Sequence, residues 1–208
     1  MTKFAPALRT FRRRFGLAAA LLAGTAFAAP EAPAPVVAFA AGAQAPWQAF
    51  VGDKQNWAIP APGDVTTVDE VVTVAVQDDG AHRISWRGRA EGQYFLAGDP
   101  VDMTELVDAA AGLVIVLAVH DAPSRDVTLR MGCGYPCMAN ANITRLLKAL
   151  PENEWVRVSV DAQCFANNGL FAGNVDMPFM LNTRGRMELS IADVRLEPGA
   201  GENAIIRC

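Results

Sequence analysis

The chain has 208 residues, 51% of them hydrophobic, and carries 18 basic against 22 acidic side chains for a net charge of −4. That length fits one ordinary domain with tails, and the apolar fraction supplies a substantial core. The acidic balance argues against nucleic acid and anionic membranes, which are held by clustered Lys and Arg.

The first fifteen residues contain Lys3, Arg9, Arg12, Arg13 and Arg14 with no acid, and the apolar stretch Leu17–Phe27 ends in Ala26-Phe27-Ala28. This is the pattern of an export signal peptide over residues 1–28, cleaved after Ala28. An apolar stretch of about eleven residues is too short for a membrane-crossing helix, which needs ~20, so no span is expected after cleavage. Arg12-Arg13-Arg14-Phe15 fits twin-arginine export, but Phe11 stands where that signal favours Ser or Thr, which leaves the route open. Cleavage removes five basic side chains and no acid, leaving 13 basic against 22 acidic, or −9. The expected location is periplasmic or secreted.

Residues 29–46 are rich in Ala and Pro, with Pro30, Pro33, Pro35 and Pro46, and read as a linker. From Trp47 the pattern changes to short alternating runs divided by turn residues. Trp47–Val51 reads as a first strand, residues 52–64 as a loop holding Trp57, and Val71–Gln77 as a strand ended by Asp78-Asp79-Gly80. Ala81–Arg89 and Gln93–Ala97 read as a hairpin joined at Glu91-Gly92. Asp102–Ala110 reads as a turn or brief helix, and Leu113–Val119 as a central strand covered on both faces. Val127–Met131 alternates until the Gly/Cys/Pro cluster of residues 132–137. Ile143, Leu146, Leu147 and Leu150 have the spacing of a short amphipathic helix, and Glu154–Val160 alternates again. After a loop over residues 163–177, Phe179–Asn182 and Met187–Leu196 close the domain across Arg184-Gly185. Eight to ten strands with one or two short helices predict an all-β jelly-roll or related sandwich over residues 47–197, followed by a tail, 198–208.

Four cysteines permit three full pairings, and sequence does not choose among them. Gly132, Gly134 and Pro136 let the chain turn back, which favours a Cys133–Cys137 bridge in an oxidising compartment. Cys164 reads as a buried small hydrophobe, and Cys208 is free to pair with it or with another chain. His82 and His120 are isolated, so a Cys-x3-Cys zinc site lacks its other ligands. Asp193 offers one carboxylate of the kind that holds structural calcium in jelly-roll modules, but Arg195 beside it reads as its partner, and no cofactor is expected.

Several linked words carry a family resemblance: Gly132-Cys133-Gly134-Tyr135-Pro136-Cys137, Ile143-Thr144 with Leu147-Lys148-Ala149-Leu150-Pro151, Gln163-Cys164-Phe165, Val175-Asp176-Met177-Pro178-Phe179 and Leu189–Leu196. They resemble the C-terminal galactose-binding-like, ExoP-type domain of bacterial family 3 glycoside hydrolases, in order from about Trp47 to Leu196. The resemblance implies a galactose-binding-like β-sandwich that is an appendage, with catalysis in other domains. Family 3 enzymes carry their nucleophile in a Ser-Asp-Trp-like motif, which does not occur here, and a barrel of ~250 residues does not fit beside this sandwich. The expectation is a non-catalytic module whose partner is carbohydrate, of glucan type, or a separate glycoside hydrolase.

A sugar site needs aromatic faces for pyranose C–H groups and polar side chains for hydroxyls. Trp57 and Tyr135 stand in loops and are the candidate platforms. Arg87, Gln93, Asn140 and Asn142 are the candidate polar contacts. Trp86 and Trp155 lie in alternating runs and read as core.

Overall fold

The computed structural model describes residues 32–61 and 65–207. The expected signal peptide and Cys208 lie outside the described residues. Among the described residues, thirteen strands form two antiparallel sheets that pack face to face as a sandwich. One sheet contains β4 (Val65–Val68), β5 (Val72–Val76), β6 (His82–Arg87), β8 (Gly112–Asp121), β11 (Val156–Asp161) and β13 (Arg186–Glu197). Their order is β11-β8-β13-β6-β5-β4, and β1 (Val36–Ala40) pairs with the second half of β13. The other sheet contains β2 (Trp47–Asp53), β3 (Ile59–Pro60), β7 (Gly92–Gly98), β9 (Val127–Gly132), β10 (Met138–Asn142) and β12 (Met177–Thr183), in the order β10-β9-β12-β7-β2-β3.

Short helices sit at the connections: α1 (Thr104–Asp108), α2 (Thr144–Ala149) and α3 (Ala162–Asn167). Asp161 caps α3 by accepting from the Gln163 N–H at 2.9 Å. The core between the sheets is built from inward residues of both, with Phe39, Ile84, Trp86, Tyr94, Leu96, Leu113, Leu117, Leu129 and Phe179 fully buried. Alternation delivers these side chains to one face of each strand.

The all-β sandwich is as expected, and four local readings are corrected. The Ala/Pro-rich segment 29–46 is not all linker, because Val36–Ala40 is a strand whose Ala38 and Phe39 are fully buried. Ala81–Arg89 and Gln93–Ala97 are not a hairpin: β6 and β7 lie in different sheets. Where the link crosses the sandwich edge, the buried Trp86 donates its Nε1–H to the Gly92 carbonyl at 3.0 Å. The expected loop over residues 163–177 opens as helix, since residues 163–167 belong to α3. The expected tail is also engaged, since Ala204 is buried and the Asp161 N–H donates to the Ile206 carbonyl at 3.0 Å.

Candidate functional site

The outer surface of the β10-β9-β12-β7-β2-β3 sheet is a grid set by strand register. Leu129 and Met131 of β9 face the core, so Thr128, Arg130 and Gly132 face outward. Register places Asn140, Arg130, Met180, Phe95 and Phe50 in one lateral row, and Asn142, Thr128, Asn182, Gln93 and Gly52 in the next. The first row grades from polar to apolar, and the second is polar at all four side-chain positions. Phe95, Met177 and Met180 form a small apolar cluster here, with Phe50, Ala97 and Met138 packed against it.

Above this apolar floor lies an open cleft of about 650 Å³ with Trp57 and Tyr135 among its walls. Trp57 is carried by the β2–β3 loop. That loop is folded by Asp53, whose Oδ1 accepts from the N–H groups of Gln55 and Asn56 at 2.8 and 2.6 Å. Gln93 Nε2 donates to the Trp57 carbonyl at 2.8 Å. Position 52 must be glycine for this approach, because a Cβ there would stand 1.9 Å from the Trp57 oxygen. The Trp57 ring is 51% exposed and lies 6.1 Å from that of Phe95.

The opposite wall is the Cys133–Cys137 loop, closed by a disulfide. Gly134 adopts φ +87°, a conformation that favours glycine, and its N–H donates to Asp176 Oδ1 at 3.0 Å. Asn174 Nδ2 donates to the Cys133 carbonyl at 3.2 Å. With the loop pinned from beneath, Tyr135 stands fully exposed at its tip.

A second hollow of about 320 Å³ continues the same face toward the start of β9, lined by Glu91, Arg125, Asp126, Thr128, Arg130, Asn182, Thr183 and Arg184. Arg130 lines this second hollow, two residues along β9 from Gly132 of the aromatic cleft. Among the described residues its buried Nε has no hydrogen-bond partner, and Nη1 reaches only Met138 Sδ at 4.0 Å. A buried donor left unpaired costs about 1–3 kcal/mol. Replacing Arg130 with Met should therefore raise the ligand-free protein's stability by about 1 kcal/mol, an increase of roughly 2–4 °C in a thermal melt. An unchanged or lower melting temperature would mean that water satisfies the guanidinium.

Of the expected site residues, Trp57 and Tyr135 meet across one cleft. Asn140 lies on the same face beside Arg130, and Asn142 lies farther along it, its Oδ1 accepting from the Thr144 N–H at 3.0 Å. Gln93 is buried, and its amide N–H serves to position Trp57. Arg87 is corrected: it lies on β6 of the other sheet, opposite Arg186, away from the cleft. Trp86 is core, whereas Trp155 is 48% exposed because it precedes β11 instead of lying within it. Cys164 is buried in α3 and disulfide-bonded, which corrects its reading as a simple hydrophobe.

The histidines are not isolated. His82 Nδ1 and Tyr94 Oη share a buried hydrogen bond of 3.0 Å. His120 bonds Asn153 Oδ1 at 2.8 Å and Ser190 Oγ at 2.9 Å. That resembles a nucleophile and its base, but Ser190 is only 1% exposed, out of a substrate's reach. Asp176 is the acid lining the aromatic cleft, and two-carboxylate glycoside hydrolysis needs a facing pair about 5–9.5 Å apart. Asp193 pairs with Arg195. Among the described residues there is no group of three or more His, Cys, Asp or Glu side chains that could hold a metal ion.

Sequence reasoning missed Phe95, Met138, Met177, Asp176 and Arg130. A signal was present in Tyr94-Phe95-Leu96 and in Met177–Leu181, apolar runs that do not alternate. In an antiparallel sheet, such a run means that both faces carry apolar side chains.

Residues 45–196 match a sequence family described as galactose-binding domain-like. No curated protein matches the chain. The extra C-terminal domain of the exo-1,3/1,4-β-glucanase ExoP from a Pseudoalteromonas species superimposes with a TM-score of 0.64 at 13% identity, covering 78% of this chain and 92% of that one. Against the ExoP exo-1,3/1,4-β-glucanase chain from the same organism the TM-score is 0.66 at 13% identity, over 80% of this chain and 21% of that one. The family 30 carbohydrate-binding module of cellulosomal cellulase Cel9D-Cel44B from Clostridium thermocellum gives 0.57 at 13% identity, over 80% and 99%. At these identities the likeness is one of fold.

Proposed function

The chain belongs to the galactose-binding domain-like family, and on that premise we propose that it is an exported, non-catalytic module that binds carbohydrate, with glucan-type chains as its ligand. The observation that carries this reading is the cleft with Trp57 and Tyr135 in its walls, an apolar floor and a polar row alongside. A pyranose ring has apolar C–H faces and a rim of hydroxyls, and this surface offers a partner for each. From Gly132 to Asp126 the face extends about 20 Å along β9, room for several sugar units. The fold of an extra domain of an exo-glucanase and of a cellulase's binding module supports the same role. Such a module acts by raising the local concentration of a separate hydrolase on its polysaccharide.

The test is calorimetric titration of the purified protein with soluble β-glucans, xylan and galactans. Saturable heat is expected with a β-glucan, with affinity falling at least tenfold, about 1.4 kcal/mol, in Trp57→Ala and less in Tyr135→Ala. Silence across the whole panel sinks the carbohydrate reading. The methionines in the floor, Met138 and Met177, favour a second reading, a docking surface for a glycoside hydrolase, since thioether side chains adapt to protein partners.

Export is part of the proposal. No described helix is long and apolar enough to cross a membrane. The Cys133–Cys137 bridge beneath Tyr135 fits an oxidising compartment. Fractionation of cells should find the processed protein outside the cytoplasm.

A further inference from the structure

A neutral sugar leaves the arginine end of the outer face unexplained. Arg125, Arg130 and Arg184 line the second hollow with two acids, Glu91 and Asp126. Arg184 Nε already donates to Glu91 at 3.2 Å. Arg125 and Arg130 have no ion pair among the described residues, although the chain has more acids than bases. Arg130 in addition buries a donor that nothing among the described residues satisfies. A sugar hydroxyl would accept a hydrogen bond from a guanidinium but would leave its charge uncompensated. A carboxylate or sulfate supplies acceptor and counter-charge together, and a carboxylate matches the guanidinium fork in both.

We propose that the module selects anionic glycans, holding a uronate carboxylate or a sulfate ester between Arg130 and Arg125 while neutral pyranose rings occupy the aromatic cleft. This inference rests on the carbohydrate reading. Gly132 of β9 lines the aromatic cleft and Arg130, two residues along the same outward-facing row, lines the second hollow, so a linear chain lying along β9 passes from the aromatic platforms to the arginines. Thr128 and Asn182, opposite each other in register between Arg130 and the start of β9, offer hydroxyl and amide groups to the charged sugar itself. Arg184 is the least available of the three arginines, because Glu91 competes for it.

The experiment uses a matched set of probes: a neutral cello-oligosaccharide, the same chain oxidised at C6 to glucuronate, and the same chain sulfated at C6. Each is titrated into the wild-type protein, Arg130→Met and Arg125→Ala. At low salt an anionic chain is expected to bind at least tenfold tighter than its neutral parent, with the preference shrinking in 0.5 M NaCl as the charges are screened. Each substitution should cut that preference. Tighter binding by both anionic chains marks a general charge site, by the oxidised chain alone a uronate site, and by the sulfated chain alone a sulfate site. Saturable binding with equal affinity for all three chains overturns the inference and leaves the carbohydrate reading standing, whereas no binding by any chain overturns the inference, and overturns the carbohydrate reading as well only when the β-glucan, xylan and galactan panel is also silent. Should Arg130→Met fold poorly, the exposed Arg125→Ala carries the comparison.

Discussion

Phe39→Ala is expected to destabilise the protein by about 3–5 kcal/mol, the range for emptying a fully buried aromatic site. In a chain of this size that corresponds to a fall of roughly 10 °C in melting temperature. Phe39 lies in a segment whose composition reads as spacer, yet its ring is fully buried, 4.7 Å edge-on from His82. β1 hydrogen-bonds to β13 with Phe39 opposite Val194, so the side chain fills the core between the sheets. An exposed linker residue would tolerate the same change within about 0.5 kcal/mol. Thermal and urea unfolding of the variant decide between the two, and a wild-type melting temperature would remove β1 from the domain.

The second large effect is a loss of stability in mild acid, centred on His82. Burial lowers the pKa of its imidazole from 6.5 to about 4. The neighbouring Tyr94 is fully buried, and desolvation pushes its phenol upward, which keeps it protonated. In the unfolded chain His82 takes up a proton near pH 6.5, while the folded chain refuses it until about pH 4. The unfolded state therefore binds more protons across that window. The contribution is complete above pH 6.5 and is lost as the pH falls from 6.5 toward 4. Its ceiling is about 3 kcal/mol, and about 2 kcal/mol should be gone between pH 7 and pH 5. Urea midpoints should drop by about 1 M over that interval, and by less in His82→Leu. Equal midpoints at the two pH values, or an undiminished slope in the variant, would show that the imidazole is hydrated in the folded protein.

Much of the fold is legible in the sequence because the apolar pattern is a direct record of which side chains face a core. Trp86 and Leu113–Val119 are core for that reason, and the glycines and proline around Cys133 and Cys137 mark the turn that brings their sulfurs together. Partner choice between strands is not legible. Glu91-Gly92 looks the same whether the chain folds back on its own sheet or crosses to the other, and here the Trp86 indole bonded to the Gly92 carbonyl accompanies the crossing. β1 is hidden because a five-residue strand among prolines has too few positions to establish a period. For the site, the loop aromatics Trp57 and Tyr135 stand out, since large aromatics in turn-rich sequence have no core of their own. The floor does not, because Phe95 and Met177 have the composition of core residues, and only the uncovered outer face of their sheet makes them part of a cleft. Arg87 fails as a candidate because a polar side chain in a strand says nothing about which of the two sheets carries it.

The pairing of β1 with β13 joins positions at opposite ends of the domain, Val36 beside Leu196. A chain emerging from a ribosome or a translocation channel thus holds its first strand without a neighbour until nearly all of the remaining sequence has emerged. Contacts so distant along the chain make folding slow, on the order of milliseconds to seconds. Truncation before β13 would also remove the strand that separates β6 from β8 and strip β1 of its partner. The domain is thus acquired all at once, late in synthesis, and intermediate lengths remain open to proteolysis until the last strand arrives.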